Sequence, residues 1–320
     1  MTFTRSIALT GLLLWTFVAP AAAQTPALQD VRIGVVGSDQ ATALLYADSA
    51  GLFRKAGINA IITKASSGAA IASAVAGGAL DVGQSQVVSL ILAHARSVPF
   101  VMIAPTTYYS FEKRDSAIIV PASSPIRSAR DLTGKTVGVS SLNDIFTLSL
   151  KAWLKQNGVD PDTVHFLEVP PPTAPSALDT GRIDASVVFQ PVMALSISSG
   201  KFRAVGYPLD AMGKRSEVAA YFTTMAWATA HRDLVDKFAH VLYDASSYVA
   251  DHERETAPVL AQFSGVDVHV VENMTRPGRA LYLVPAELQP YIDAAAQFHL
   301  IDKPFPADEM ISAAALKPPK

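Results

Sequence analysis

The sequence predicts an α/β protein of two lobes, joined by two chain crossings and enclosing a ligand cleft. Three observations predict it. Short β-prone runs alternate with runs of helical period, at a pitch that calls for largely parallel sheets covered on both faces. One such series occupies residues 31–104, and a second series in the same order, though not with the same letters, occupies 116–205. The chain beyond His231 reads as helical and is expected to return to the first lobe.

The first 23 residues read as a cleaved secretory signal. Arg5 supplies the charged start, residues 7–19 the apolar middle, and Ala21-Ala22-Ala23 the small-residue cleavage site before Gln24. The apolar run is short for a membrane span. With zero cysteines there is no lipid acceptor, disulfide framework or thiolate site. The mature product is expected to be soluble, not lipidated, and periplasmic. Roughly 300 residues then remain, near the size at which one core gives way to two.

Elements follow in order. Residues 31–36 form a strand punctuated by Gly37-Ser38-Asp39, and apolar residues between Ala41 and Phe53 recur at helical spacing until Gly57, a position suited to a left-handed cap. A strand at 60–63 ends at Ser66-Ser67-Gly68, an N-cap signal before the helix 69–76. A strand at 79–83, a helix at 85–95 and a strand at 100–104 complete the series. The second lobe repeats the order: strands at 116–120, 136–139, 164–167, 185–189 and 202–205, with helices at 129–132, 145–156, 174–179 and 191–199 between them. A loop at 206–219 and a strand-like 221–229 lead to helices at 233–251, 253–263, around 279–283, and 286–298. Lobe one is therefore expected to comprise 28–106 and 223–320 and lobe two 107–222, with crossings near 105–110 and 206–222. Two crossings make a hinge, because closure is absorbed by a few backbone torsions while both cores stay rigid.

Composition excludes several classes. Lys and Arg total 26 against 28 for Asp and Glu, a net charge of −2, so no basic face for nucleic acid is announced. The seven histidines form no His-Glu-x-x-His pattern, and a dedicated metal site is not expected. Gly134-Lys135-Thr136 echoes a phosphate loop, but the first glycine of that loop is missing and the triplet precedes a strand instead of a helix. Ser110-x-x-Lys113 matches a penicillin-interacting spacing without its later elements in order, and no glycine–x–serine–x–glycine elbow occurs. No cofactor or catalytic residue is assigned.

Several motifs in succession resemble a known family: Val31-Arg32-Ile33-Gly34, Gly51-Leu52-Phe53 with Gly57, the run from Ala76 to Gly83, Asp131-Leu132-Thr133-Gly134-Lys135 with Thr136 to Val139, Leu178-Asp179-Thr180-Gly181-Arg182-Ile183-Asp184-Ala185, and Phe189-Gln190-Pro191. Their order and spacing resemble the ABC-transporter solute-binding proteins of the nitrate/sulfonate/taurine group, which is similar to the thiamine-pyrimidine synthase-like group. The resemblance covers residues 31–311. It implies a type II periplasmic-binding-protein fold and high-affinity capture of a small solute. It also implies delivery of that solute to an inner-membrane ABC permease driven by a cytoplasmic ATPase. A monomer is expected. A protein reporting ligand to a membrane sensor is the alternative within the same fold. An enzyme like the thiamine-pyrimidine synthases is disfavoured, because that group is associated with a cysteine-rich segment and this chain has none.

Ligands of open α/β sheets sit beyond the carboxyl ends of the strands, where helix N-termini present unpaired N–H groups. In lobe one those ends carry Ser38, Asp39 and Gln40, then Ser66 and Ser67, then Gln84, Ser85 and Gln86; in lobe two they carry Asn143 and Asp144, Thr173, and Phe189 with Gln190. Ser66, Ser67 and Thr173 serve equally well as helix caps, and Asp39 and Asp144 as caps or turn residues. Gln190 stands where the family often has an acid, so a role resting on a carboxylate there is in doubt. Thr107, Tyr108 and Tyr109 lie at the first crossing, where a tyrosine can form a flat wall with a polar tip or simply pack the hinge. With Phe146 and Phe189 they favour an aromatic or heterocyclic solute, with a carboxylate or sulfonate allowed. No arginine lies inside these loops, but helix N-termini alone bind anions, and Lys113 or Arg114 can reach in from the crossing.

Overall fold

The structure is a computed structural model that describes residues 28–65 and 67–316. The signal segment 1–23 and Ser66 lie outside the described residues. Among the described residues, no helix is long and apolar enough to cross a membrane.

The first lobe opens with β1 (Gln29–Val36), α1 (Thr42–Ser49), α2 (Leu52–Lys55), β2 (Ile58–Ala65), α3 (Gly68–Ala76), β3 (Val82–Gln86), α4 (Val87–Ala95) and β4 (Phe100–Ser110). Lobe two follows with β5 (Ser116–Pro121), β6 (Thr136–Val139), α5 (Ile145–Gln156), β7 (His165–Glu168), α6 (Ala174–Asp179), β8 (Ala185–Phe189), α7 (Val192–Ser198) and β9 (Phe202–Gly206). The chain returns through β10 (Arg215–Thr224), α8 (Met225–Ala230), α9 (Arg232–Asp251), α10 (Glu253–Ser264), α11 (Val268–Asn273), β11 (Gly278–Arg279) and α12 (Pro285–Gln297).

Each lobe is built on one sheet. The first has the order β11-β4-β10-β3-β1-β2 and the second β7-β6-β8-β5-β9. β1 is parallel to β2 and β3, and β6 is parallel to β7 and β8; β10 and β5 run antiparallel to their neighbours. Both sheets are therefore mixed: β5 and β10, which bring the chain into a lobe, run against the βαβ units, while β4 and β9, which carry it out, run with them. The β1 pattern is legible in its sequence: Val31, Ile33 and Val35 are buried beneath α9, while Arg32 faces solvent and pairs with Asp81 at 2.6 Å. Where one continuous helix is expected after Asp39, Gly51 at φ 70° breaks it into α1 and α2, and Gly57 at φ 81° turns the chain into β2.

The lobes share packing as well as chain. From lobe two, α5 lies against α4 and α12 of lobe one. Its buried face includes Ile145, Leu148 and Leu150.

The crossings differ from expectation. Residues 107–110 continue β4 inside the first sheet, and β10 is already paired with β4 from Arg215, so both segments assigned to lobe two belong to the sheet of lobe one. The segments free of either sheet are 111–115 and 207–214. Irregular register between β4 and β10 concealed this, because bulges around Glu217–Ala220 interrupt the alternation that marks a strand. These two segments are tied to each other: the Arg114 guanidinium donates to the Asp210 carboxylate at 2.8 and 3.2 Å and lies over the Tyr207 ring. Two further expectations fail locally. Arg279 lies in β11 instead of a helix, and residues 225–229, read as strand, form most of α8.

Candidate functional site

The strand ends of lobe one form a polar floor. Ser38 and Asp39 follow β1; Gln84, Ser85 and Gln86 lie within β3 itself, which runs three residues further than the sequence suggests. Gln84 is fully buried and holds the floor together. Its Oε1 accepts from the Val36 backbone N–H at 3.1 Å, and its Nε2 donates to Gln40 Oε1 at 2.6 Å. Ser38 Oγ and Ser85 Oγ are buried with no hydrogen-bond partner among the described residues. The Ser85 hydroxyl points at the start of α3: a Cβ added to Gly68 would stand 2.7 Å from it. At that helix start, Ser67 is exposed and accepts from the Ala70 N–H at 3.2 Å, the cap role weighed for it, while the first amides have no intrahelical partner.

Lobe two contributes an aromatic wall. Phe146 and Phe189 stack with ring centroids 4.6 Å apart and planes 9° from parallel. Phe146 is largely buried and Phe189 half-buried, so Phe189 is the more exposed ring of the pair. Gln190 turns its Oε1 to the Ala194 N–H at 3.1 Å and thus caps the start of α7. Asn143 and Thr173 are exposed; the Thr173 hydroxyl donates to Pro170 O. Asp144 caps α5, accepting from the Thr147 N–H at 2.8 Å and from Ser140, and burial raises its pKa.

Two residues expected at the ligand have protein partners. Asp39 is the first. Its carboxylate receives Arg276 at 2.7 and 2.9 Å, Arg279 at 2.5 Å and the Thr42 hydroxyl at 2.7 Å. Burial alone would push this carboxyl up, but the two guanidinium charges and the hydrogen bonds hold it well below the usual range. Tyr109 is fully buried and donates to Asp210, fastening the crossing. Tyr108 lies under the Arg215 guanidinium, 3.7 Å from the ring centroid, and its ring fills the space that a side chain on Gly278 would need. Thr107, opposite Arg279 in the sheet, is buried with its Oγ1 unpartnered.

Sequence reading missed Arg276 and Arg279, more than 230 positions from their partner, because an ion pair between distant segments leaves no local pattern. It also missed Asp115, Glu217 and Tyr221, each with a buried side-chain oxygen that has no partner among the described residues. Among the described residues, no group of three His, Cys, Asp or Glu side chains could hold a metal ion.

Comparison with known proteins decides the relationship. The profile described as NMT1/THI5 like matches residues 38–256. The chain belongs to that family. Among curated proteins, the taurine-binding periplasmic protein of Escherichia coli (strain K12) is 26% identical over 230 residues, covering 70% of this chain and 69% of that protein. Among solved structures, the periplasmic aliphatic sulphonate binding protein SsuA from Escherichia coli superposes with a TM-score of 0.77 at 19% identity, covering 89% of this chain and 98% of that one. The alkanesulfonate-binding protein SsuA from Xanthomonas axonopodis pv. citri, bound to MOPS, gives 0.73 at 20% identity, with 90% and 99% covered. The fold is thus the type II periplasmic-binding fold.

Proposed function

We propose that the chain is a periplasmic receptor that captures a small organic acid between its lobes and delivers it to an ABC importer, without chemistry on the solute. The carrying observation is Ser85: a buried hydroxyl with no partner among the described residues, aimed at the start of α3. Unpaired helix amides and the positive end of the helix dipole favour an anionic group there. A carboxylate or sulfonate accepts from the amides and from Ser85 together. Phe189, backed by Phe146, offers a flat apolar surface to the carbon skeleton. Neighbours that bind taurine and alkanesulfonates support the acidic class. On this reading residues 111–115 and 207–214 are the hinge, and the importer senses the closed state that the solute selects.

The reading is tested by calorimetric titration of ligand-stripped mature protein with alkanesulfonates, aromatic sulfonates, carboxylates and nitrate. Ser85→Ala removes no hydrogen bond to a described residue, so it should leave the unfolding midpoint unchanged and weaken the best solute about tenfold, the value of roughly one good hydrogen bond to a charged group. Unchanged affinity in that variant would remove the anion from the α3 start.

A further inference from the structure

Two complementary groups at the crossing stand unpaired within range of each other's charge. Asp115 ends the segment 111–115; its backbone oxygen accepts the Gln190 N–H at 3.0 Å, and the next residue, Ser116, begins β5 of lobe two. The Asp115 Oδ1 is shut off from water and has no hydrogen-bond partner among the described residues. Arg279 lies in β11, within the sheet of lobe one. It gives Nη1 to the Asp39 carbonyl oxygen at 2.8 Å and Nη2 to the Asp39 carboxylate. Its Nε, equally enclosed, is left with no partner among the described residues, and so is the Oγ1 of Thr107 opposite it in β4.

Buried polar groups are paired in nearly all native structures, so an acceptor and a donor left empty in one neighbourhood call for a reason. Here they sit on opposite sides of a hinge. Asp39 fixes Arg279 in one sheet, whereas Asp115 belongs to the segment that turns between the sheets. The charged and titratable groups that bear on Asp115 are Asp39, Arg279 and Tyr291 of α12. Glu217 of β10, which acts on the same Tyr291, is wholly enclosed. The other cations nearby are engaged: Arg276 with Asp39, Arg114 with Asp210 and Lys113 with Glu253. Burial, and after it the like charge of Asp39, pushes the Asp115 pKa up to about 7, so below neutral pH its carboxyl is mostly uncharged in the described conformation.

We propose that Asp115 and Arg279 form a hinge pair: rotation of 111–115 away from the described conformation brings the ionised Asp115 carboxylate onto Arg279 Nε. It rests on the hinge assignment above and adds what holds the second hinge position and what sets the balance between the two. Pairing lowers the Asp115 pKa in the rotated conformation, so rotation releases a proton. The rotated form therefore gains as pH rises toward about 7 and is lost as pH falls. A neutral Asp115 favours the described conformation.

The chain has no cysteine, so two introduced ones report the hinge cleanly. Ser73→Cys on α3 and Ser176→Cys on α6, both exposed and one in each lobe, carry spin labels whose separation is read by double electron–electron resonance. In the ligand-stripped mature protein a second distance should gain on that of the described conformation, by at least about tenfold in ratio from about pH 5 to about pH 8. Asp115→Asn, which stays neutral, should hold the low-pH distribution throughout. Arg279→Lys keeps a cation for Asp39 but has no Nε–H of that kind, and it should lose the pH response as well. In the unaltered chain the Arg279 Nε–H proton should move downfield in NMR and exchange more slowly at the higher pH. One unchanging distance in the wild type, a pH response that survives in Asp115→Asn or in folded Arg279→Lys, or an unmoved Nε–H signal would overturn the pair. Saturating ethanesulfonate at low pH tests capture separately. A distance that ethanesulfonate changes and pH does not would leave capture standing without the pair; the reverse would leave the pair standing and remove closure by that acid.

Discussion

Replacing Asp39 by Asn keeps the side chain's size and removes its charge. The carboxylate is only 8% exposed, and its partners Arg276 and Arg279 are 2% and 1% exposed, so the variant strands two guanidinium groups away from water. Breaking a buried pair by removing one partner costs about 3–5 kcal/mol, because the remaining charge is uncompensated. Here one anion serves two cations, which places the expected loss at the upper end of that range. Urea unfolding followed by circular dichroism reads it as a lower midpoint at unchanged slope. Solute affinity should fall too, because Ser38 and Gln40 flank the anchored residue. The pH dependence has a defined sign. The folded carboxyl lies below its unfolded value near 4, so its contribution is present above that value and is lost only as pH falls through the much lower folded one. The difference between wild type and variant should therefore be constant from about pH 7 to about pH 5. A loss under about 1 kcal/mol, the range of an exposed pair, would refute the buried triad.

Three other outcomes follow from single contacts. Glu217 is fully buried with both carboxylate oxygens unpartnered, and burial, reinforced by Glu287, raises its pKa well above the usual range. The native state thus holds an extra proton, wild-type stability should decline as pH rises from about 4.3 toward the folded value, and Glu217→Gln should flatten that decline in melting experiments between about pH 5 and 8; parallel curves would contradict it. Gly278→Ala would place a Cβ 2.2 Å from the Tyr108 ring, which must then leave its place under Arg215, at a cost of about 1–3 kcal/mol by denaturant unfolding; a neutral change would mean the strand shifts freely. Gln84→Leu should lower both stability, by about 1–3 kcal/mol for the unpaired Val36 N–H and Gln40, and solute affinity; an effect on stability alone would separate the floor from the site.

The parts of this molecule that obey a local period were legible in its sequence. The apolar alternation of Val31, Ile33 and Val35, the helical spacing through α9 and the turn at Gly57 each carry their own signal. The strand-end rule also picks out Ser38, Gln84, Ser85 and Phe189 from the sequence alone. What was hidden depends on distant partners. Asp39 looks like a free cleft acid until Arg276 and Arg279 arrive from the far end of the chain, and Tyr109 looks like a ligand wall until Asp210 takes its hydroxyl. The crossings were misplaced because β4 and β10 contain bulges, and a bulged strand loses the period by which strands are recognised.

On the proposed function, a solute closes the cleft about the segments 111–115 and 207–214. Small-angle X-ray scattering of the ligand-stripped mature protein, alone and saturated with the tightest compound from the acid panel, measures this directly. A smaller radius of gyration in the saturated sample is the predicted result. Identical scattering from both samples, with calorimetry confirming that the compound is bound, would contradict it.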